Sequence, residues 1–350
     1  MKLRKKKNKN AIPKKYNYGL GLLKTISAFG VVRSHSFNYN STKNKIILYI
    51  LRKRGFHVNS FFIMSFYFMY KDLLSSNKNI FIKRIERLLI PYIIWPFFFF
   101  ILNNYILKIL FPIKKYSFND LRKQYLTGNC TLNVLWFQWN LIVLTTIFFF
   151  IIYFYKKKYY LFLLQLLGCF GFFIQYSGYN GKLIEKLSQE KKYTIGGFFV
   201  ALPLASTGFT FASLNVINIV SNYKLQTMFF SLFGFLLLEK YSIFQEAPNK
   251  VGNSGILYHV RAICFIFIFS LFPSNKITDK KLEKILRHIT NYTAGIYYIH
   301  MPIMNYLKYL INPIKNGTCF GILIIYLISY LICLIGMQLF GKTKLKNLFS

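Results

Sequence analysis

The stretch "LLKTISAFGVVRSHSF", residues 22–37, is apolar over most of its length, yet it carries Lys24, Arg33 and His35. With the apolar residues ahead of it, it is long enough to cross a bilayer as a helix, which takes about 20 residues. An ionisable group at that depth is costly, so it usually faces a bundle interior or a wet cavity and marks a functional site. Each residue of an α-helix turns by about 100°, so positions eleven apart share a face. Lys24 and His35 are eleven apart, with Ala28 and Val31 between them. The helical rise separates the two by about 16 Å along one stripe. Histidine is the side chain best suited to act as a base near neutral pH. Arg33 points to the opposite side and reads as snorkelling to the headgroups.

The whole chain has the same character. Of its 350 residues 54% are apolar and 20% aromatic, including 39 Phe and 27 Tyr, and the mean hydropathy is +0.36. These values exclude an ordinary soluble domain and predict an all-α polytopic membrane protein. There are 46 Lys and Arg against 9 Asp and Glu. Such a balance in a soluble chain suggests a nucleic-acid partner. Here the basic residues lie between apolar runs, where they set topology and contact anionic lipid, so no nucleic acid is expected. The five cysteines, at 130, 169, 264, 319 and 333, form no C-x-x-C pair and no metal-ligand spacing. Cys169, Cys264 and Cys333 fall in apolar runs and read as small buried side chains. No metal site is expected.

Ten spans are predicted, at 18–38, 56–70, 88–112, 134–155, 159–178, 194–220, 226–239, 256–273, 291–312 and 318–341. An even number puts both termini on one side. The basic tail 1–17 and the basic tail 342–350 place that side in the cytoplasm. Residues 18–341 then form a single transmembrane domain. Loops are expected near 39–55, 113–133, 179–193, 241–255 and 274–290, where His57, His259 and His288, at span edges or in a loop, read as solvated.

Five segments, in order, carry a resemblance. "LLKTISAFGVVRSHS" has a basic residue eleven positions before a His, Lys24 and His35. "VNSFFIMSFYFMY" has Phe61, Phe62 and Ser65, and "FIKRIERLLIPYIIW" has Arg84, Arg87 and Pro91. "NVLWFQWNLIVL" has Leu135, Trp136 and Phe137, and "TAGIYYIHMPIM" has Tyr297, His300 and Pro302. Together they resemble the acyltransferase 3 family of integral membrane acyltransferases, from about residue 18 to 340. The basic position is usually Arg in that family and is Lys24 here. The residue after Ser65 is usually Gly and is Phe66 here.

The resemblance implies transfer of an acyl group, most often acetyl, from cytoplasmic acetyl-CoA to a hydroxyl of a cell-surface carbohydrate or lipid-linked glycan. The setting it implies is a bacterial cytoplasmic membrane. Acetyl-CoA would be a donor substrate, with no resident cofactor. His35 and Lys24 are the expected catalytic residues, His35 acting as general base or as an acetyl carrier. Arg84 and Arg87, three apart on one helical face, are expected to hold the CoA phosphates, with Glu86 beside them as a competing partner. Ser65 or Asn59 would donate to the tetrahedral oxyanion. Tyr297 and His300 would support the site or line it; the plainer reading of His300 is an interfacial histidine hydrogen-bonded to a tyrosine. The alternative reading is a polytopic exporter of a glycan or lipid-linked intermediate. It suits the span count, but buried acids, which proton-coupled carriers use, are scarce, and no repeat is visible.

Overall fold

The computed structural model describes residues 17–36, 56–74, 78–108, 115–127, 135–155, 157–176, 189–244, 256–272 and 280–350. The basic tail before residue 17, the loop at 39–55 and Cys130 lie outside them. Among the described residues the fold is all helix, with no strand.

The helices are α1 (Tyr18–Ser36), α2 (Phe56–Leu74), α3 (Lys78–Ile101), α4 (Phe118–Thr127), α5 (Leu135–Phe154), α6 (Lys157–Tyr176) and α7 (Gln189–Ser213). They continue with α8 (Val216–Asn222), α9 (Lys224–Phe244), α10 (Ile256–Ser270), α11 (Lys280–Asn291), α12 (Thr293–Leu307), α13 (Asn312–Lys315) and α14 (Cys319–Phe340). A π-helical turn, Leu102–Leu107, extends α3, and a 3-10 turn, Lys344–Leu348, follows α14. By length and composition three stretches are able to cross a membrane: Asn79–Tyr105, Leu135–Phe154 and Cys319–Phe340. The pair Gly197–Ser213 and Val216–Asn222 makes a fourth, bent by 64°. Shorter apolar helices run at Tyr159–Ile174, Lys224–Leu238 and Tyr258–Ser270.

Several boundaries differ from the pattern of hydrophobicity. The helix expected at 88–112 starts at Lys78, because Lys83, Arg84 and Arg87 are good helix formers and Arg84 finds a partner inside the bundle in Ser65. The expected loop 113–133 holds α4, started by a reciprocal cap: Ser117 N donates to Asp120 Oδ2 at 2.8 Å and Asp120 N to Ser117 Oγ at 3.1 Å. The expected loop 274–290 is largely α11, an amphipathic helix lying against α1. The span expected at 194–220 breaks at Asn215, whose φ of 55° is left-handed.

The core is built around α2. Helix α7 packs most extensively on it, followed by α1 and α10. A Cβ at Gly208 would overlap the Ile63 carbonyl, so this small residue lets the α7 and α2 backbones approach closely. Phe62 and Phe66 of α2, Phe209 of α7 and Phe148 of α5 are fully buried. Cys264 and Cys333 are buried as expected, whereas Cys169 is exposed, because it sits on the outward side of α6. The last residues are folded too. Phe349 is buried against Gly295 and Gly336, and the Trp95 indole Nε1 donates to the Leu348 carbonyl at 3.3 Å.

Candidate active site

Lys24 and His35 anchor the two ends of one stripe on α1. Lys24 is half-buried, with Nζ 5.0 Å from the centre of the Phe68 ring on α2. Arg84 of α3 lies within electrostatic range of it. Arg84 turns inward and its Nη2 donates to Ser65 Oγ on α2 at 2.9 Å. That bond uses a lone pair of the hydroxyl and leaves its O–H to donate elsewhere. Arg84 also lies within electrostatic range of Tyr298 on α12. The Tyr298 hydroxyl donates to Gln138 Oε1 at 2.6 Å, and Gln138 Nε2 donates to the Leu88 carbonyl at 2.7 Å. The amide of Gln138 is thereby locked between α3 and α12. Arg84 thus links Lys24 on α1 and Ser65 on α2 at one end of the stripe, and Tyr298, held by Gln138, faces it from α12 two positions before His300.

At the other end of the stripe the exposed ring of His35 meets the buried ring of His300, their centroids 5.4 Å apart. Between the two ends lies an aromatic layer in which Tyr297 contacts Phe61 and Phe137 at 6.2 and 5.0 Å between centroids. Tyr297 is buried, and its ring centre is 6.1 Å from that of His300. The bond from His300 goes to the Tyr297 backbone carbonyl, at 2.8 Å, rather than to a tyrosine hydroxyl. The helix supplies that acceptor one turn before the imidazole.

Arg87 and Arg84 part company despite their spacing. Arg87 is exposed and its Nε folds back on the Lys83 carbonyl at 3.3 Å. Glu86 pairs with neither arginine. It is held at 2.9 Å by Lys344 of the last turn. The two oxyanion candidates also separate. Ser65 sits at the Lys24 end, bonded to Arg84, while Asn59 lies nearly two helical turns away toward the other end. Asn59 is fully buried, and both polar atoms of its amide lack a hydrogen-bond partner among the described residues.

The sequence readings of Arg33, His57 and His259 are corrected. Arg33 does not snorkel: it is buried, and its Nη2 donates to His57 Nε2 at 3.2 Å. His57 is therefore not solvated. A Cβ on Gly30 would overlap its ring, so glycine is what lets α2 bring the imidazole against α1. His259 is also buried, 4.9 Å from the Phe172 ring centre, because α10 turns it toward α6 rather than outward. His288 is exposed, as read. Sequence reasoning missed Gln138 and Tyr298. Gln138 carried a usable signal, being an amide inside an apolar run, where an unpaired polar group is expensive.

Among the described residues no three His, Cys, Asp or Glu side chains converge as metal ligands. A family model described as an acyltransferase domain matches residues 17–340, nearly the whole chain. Comparison with curated proteins and with solved structures gives no match.

Proposed function

This chain belongs to the acyltransferase 3 family of membrane proteins, and on that premise we propose that it moves an acetyl group from acetyl-CoA to a hydroxyl of a surface glycan or lipid-linked glycan. The observation that carries the reading is the stripe on α1, which links a cationic end to an imidazole end across the bundle. The cationic end, with Lys24 and Arg84 inside and Arg87 outside, suits a polyanionic donor approaching from the cytoplasm. Lys344 occupies Glu86, so that carboxylate does not neutralise the arginines. In this reading Arg87 meets a phosphate in water. Arg84 and Lys24 receive the part of the donor that enters.

The thioester arm then lies along the α1 stripe toward His35. His35 takes the proton of the acceptor hydroxyl as its oxygen bonds to the thioester carbonyl carbon. The tetrahedral intermediate collapses with cleavage of the C–S bond, and the CoA thiolate takes the proton back from His35. The products are an ester and free CoA. Asn59, buried and with its amide unpartnered, is the candidate donor to the oxyanion near that end. Ser65 belongs instead to the donor end, through Arg84.

The test is the protein in proteoliposomes, supplied with radiolabelled acetyl-CoA and lipid-linked glycans extracted from the producing cells. Label is expected in the glycan as an alkali-labile ester. A deletion strain should lose surface acetyl esters and regain them on complementation. Glycan export in the absence of any acetyl transfer would overturn the proposal in favour of a carrier.

A further inference from the structure

His300 is fully buried on α12. Its Nδ1 lies 2.8 Å from the Tyr297 carbonyl oxygen and 3.2 Å from that of Ile296. Carbonyl oxygens only accept, so Nδ1 carries the hydrogen and Nε2 is left with a lone pair. Among the described residues that buried Nε2 has no hydrogen-bond partner. A histidine kept only for packing has no need of an orphaned acceptor, since a buried polar atom without a partner is destabilising. The neighbour across the gap is His35, its ring centroid 5.4 Å away and its plane tilted by 40°. The two rings are neighbours without a bond through His300 Nε2, and contacts that are long in an unliganded active site tighten in the complex.

We propose that His300 is the positioning partner of His35: its Nε2 accepts the N–H of His35, which fixes the His35 tautomer and turns the other His35 nitrogen, with its lone pair, to the acceptor hydroxyl. The inference rests on the acyl-transfer reading. During transfer the hydroxyl proton passes to that second nitrogen, the new O–C bond forms and the C–S bond breaks. The imidazolium of His35 keeps its other N–H on His300 until the thiolate takes the transferred proton. The orienting role is the one a carboxylate plays beside many catalytic histidines. A neutral imidazole performs it without placing a permanent charge in an apolar helix. The backbone carbonyls of Ile296 and Tyr297 set the His300 tautomer, so the order of the pair is built into α12.

The experiment compares wild type, His300→Leu, His300→Gln, His35→Ala and the double variant His35→Ala/His300→Leu in the proteoliposome assay with radiolabelled acetyl-CoA and extracted glycan. His300→Leu is expected to lower kcat at least about tenfold, with KM for acetyl-CoA within about twofold of wild type. His300→Gln keeps an acceptor oxygen and is expected to recover much of that loss. The double variant is expected to be no slower than His35→Ala alone, because His300 acts through His35. His300→Leu with full kcat, His300→Gln as slow as His300→Leu, or losses that multiply in the double variant would each overturn the pairing. Wild type that transfers no label would overturn the acyl-transfer reading itself; active wild type with an equally active His300→Leu overturns only the pairing.

Discussion

Lys344 lies 258 positions along the chain from Glu86, and its Nζ is 2.9 Å from the Glu86 carboxylate. The contact ties the last turn of the protein to α3 and keeps an acid away from the arginines beside it. Arg87→Ala should therefore raise KM for acetyl-CoA with little change in kcat, by the roughly 1.5–3 kcal/mol of a charge-assisted contact. Arg84→Ala should affect both constants, because Arg84 also holds Ser65. Lys344→Ala should raise the donor KM modestly by releasing Glu86 onto Arg87. Steady-state kinetics over a range of acetyl-CoA concentrations check all three, and unchanged KM in every variant would reduce these residues to topology signals.

Arg33 and His57 form a buried bond between α1 and α2, so their loss should appear in stability. Arg33→Ala removes a hydrogen bond from a charged donor and should cost about 1.5–3 kcal/mol. Thermal unfolding in detergent should fall accordingly, while acetyl transfer per folded molecule stays close to wild type.

Gly208 faces the Ile63 backbone with no room for a side chain. Gly208→Val should overpack the α7–α2 contact and destabilise by about 1–3 kcal/mol. The check is the folded yield and unfolding midpoint, against a control valine at exposed Leu225.

Helix α11 is tied to α1 at Glu283. The Tyr18 hydroxyl beside it, and then Arg287 at 2.8 Å, hold the Glu283 carboxyl below its ordinary value of 4.5. A depressed carboxylate pKa stabilises the folded contact above the unfolded value, and that contribution is lost as pH falls through the folded one. Amide exchange in α11 should therefore accelerate as pH drops below about 4.5, after correction for intrinsic exchange. Glu283→Gln should exchange fast at all pH values and show no such step.

The α1 stripe was legible because its signal is local: two ionisable groups eleven apart in an apolar run fix their own relation through helix geometry. The spacing of Tyr297 and His300 is local too, yet the bond expected to a tyrosine goes to the Tyr297 backbone carbonyl instead. What could not be read are relations that depend on which helices become neighbours. Arg33 was expected to reach lipid headgroups, since nothing near it in sequence says that Gly30 admits His57. Gln138 meets Tyr298 across 160 positions. Arg84 and Arg87 share a helical face by spacing, yet the bundle draws only Arg84 inward, toward Ser65. The break at Asn215 was hidden because no Gly or Pro marks it.

The central claim is that His35 supplies the base at the far end of the stripe from Lys24. The most direct measurement is the rate of acetyl transfer by His35→Ala, Lys24→Arg and Lys24→Ala at membrane abundance matched to wild type, read as glycan-bound label. His35→Ala should be at least about 10²-fold slower than wild type, the usual floor for removing a general base. Lys24→Arg should be tolerated, since the charge is kept, and Lys24→Ala should be severely impaired. His35→Ala that transfers acetyl within a few-fold of wild type would contradict the account.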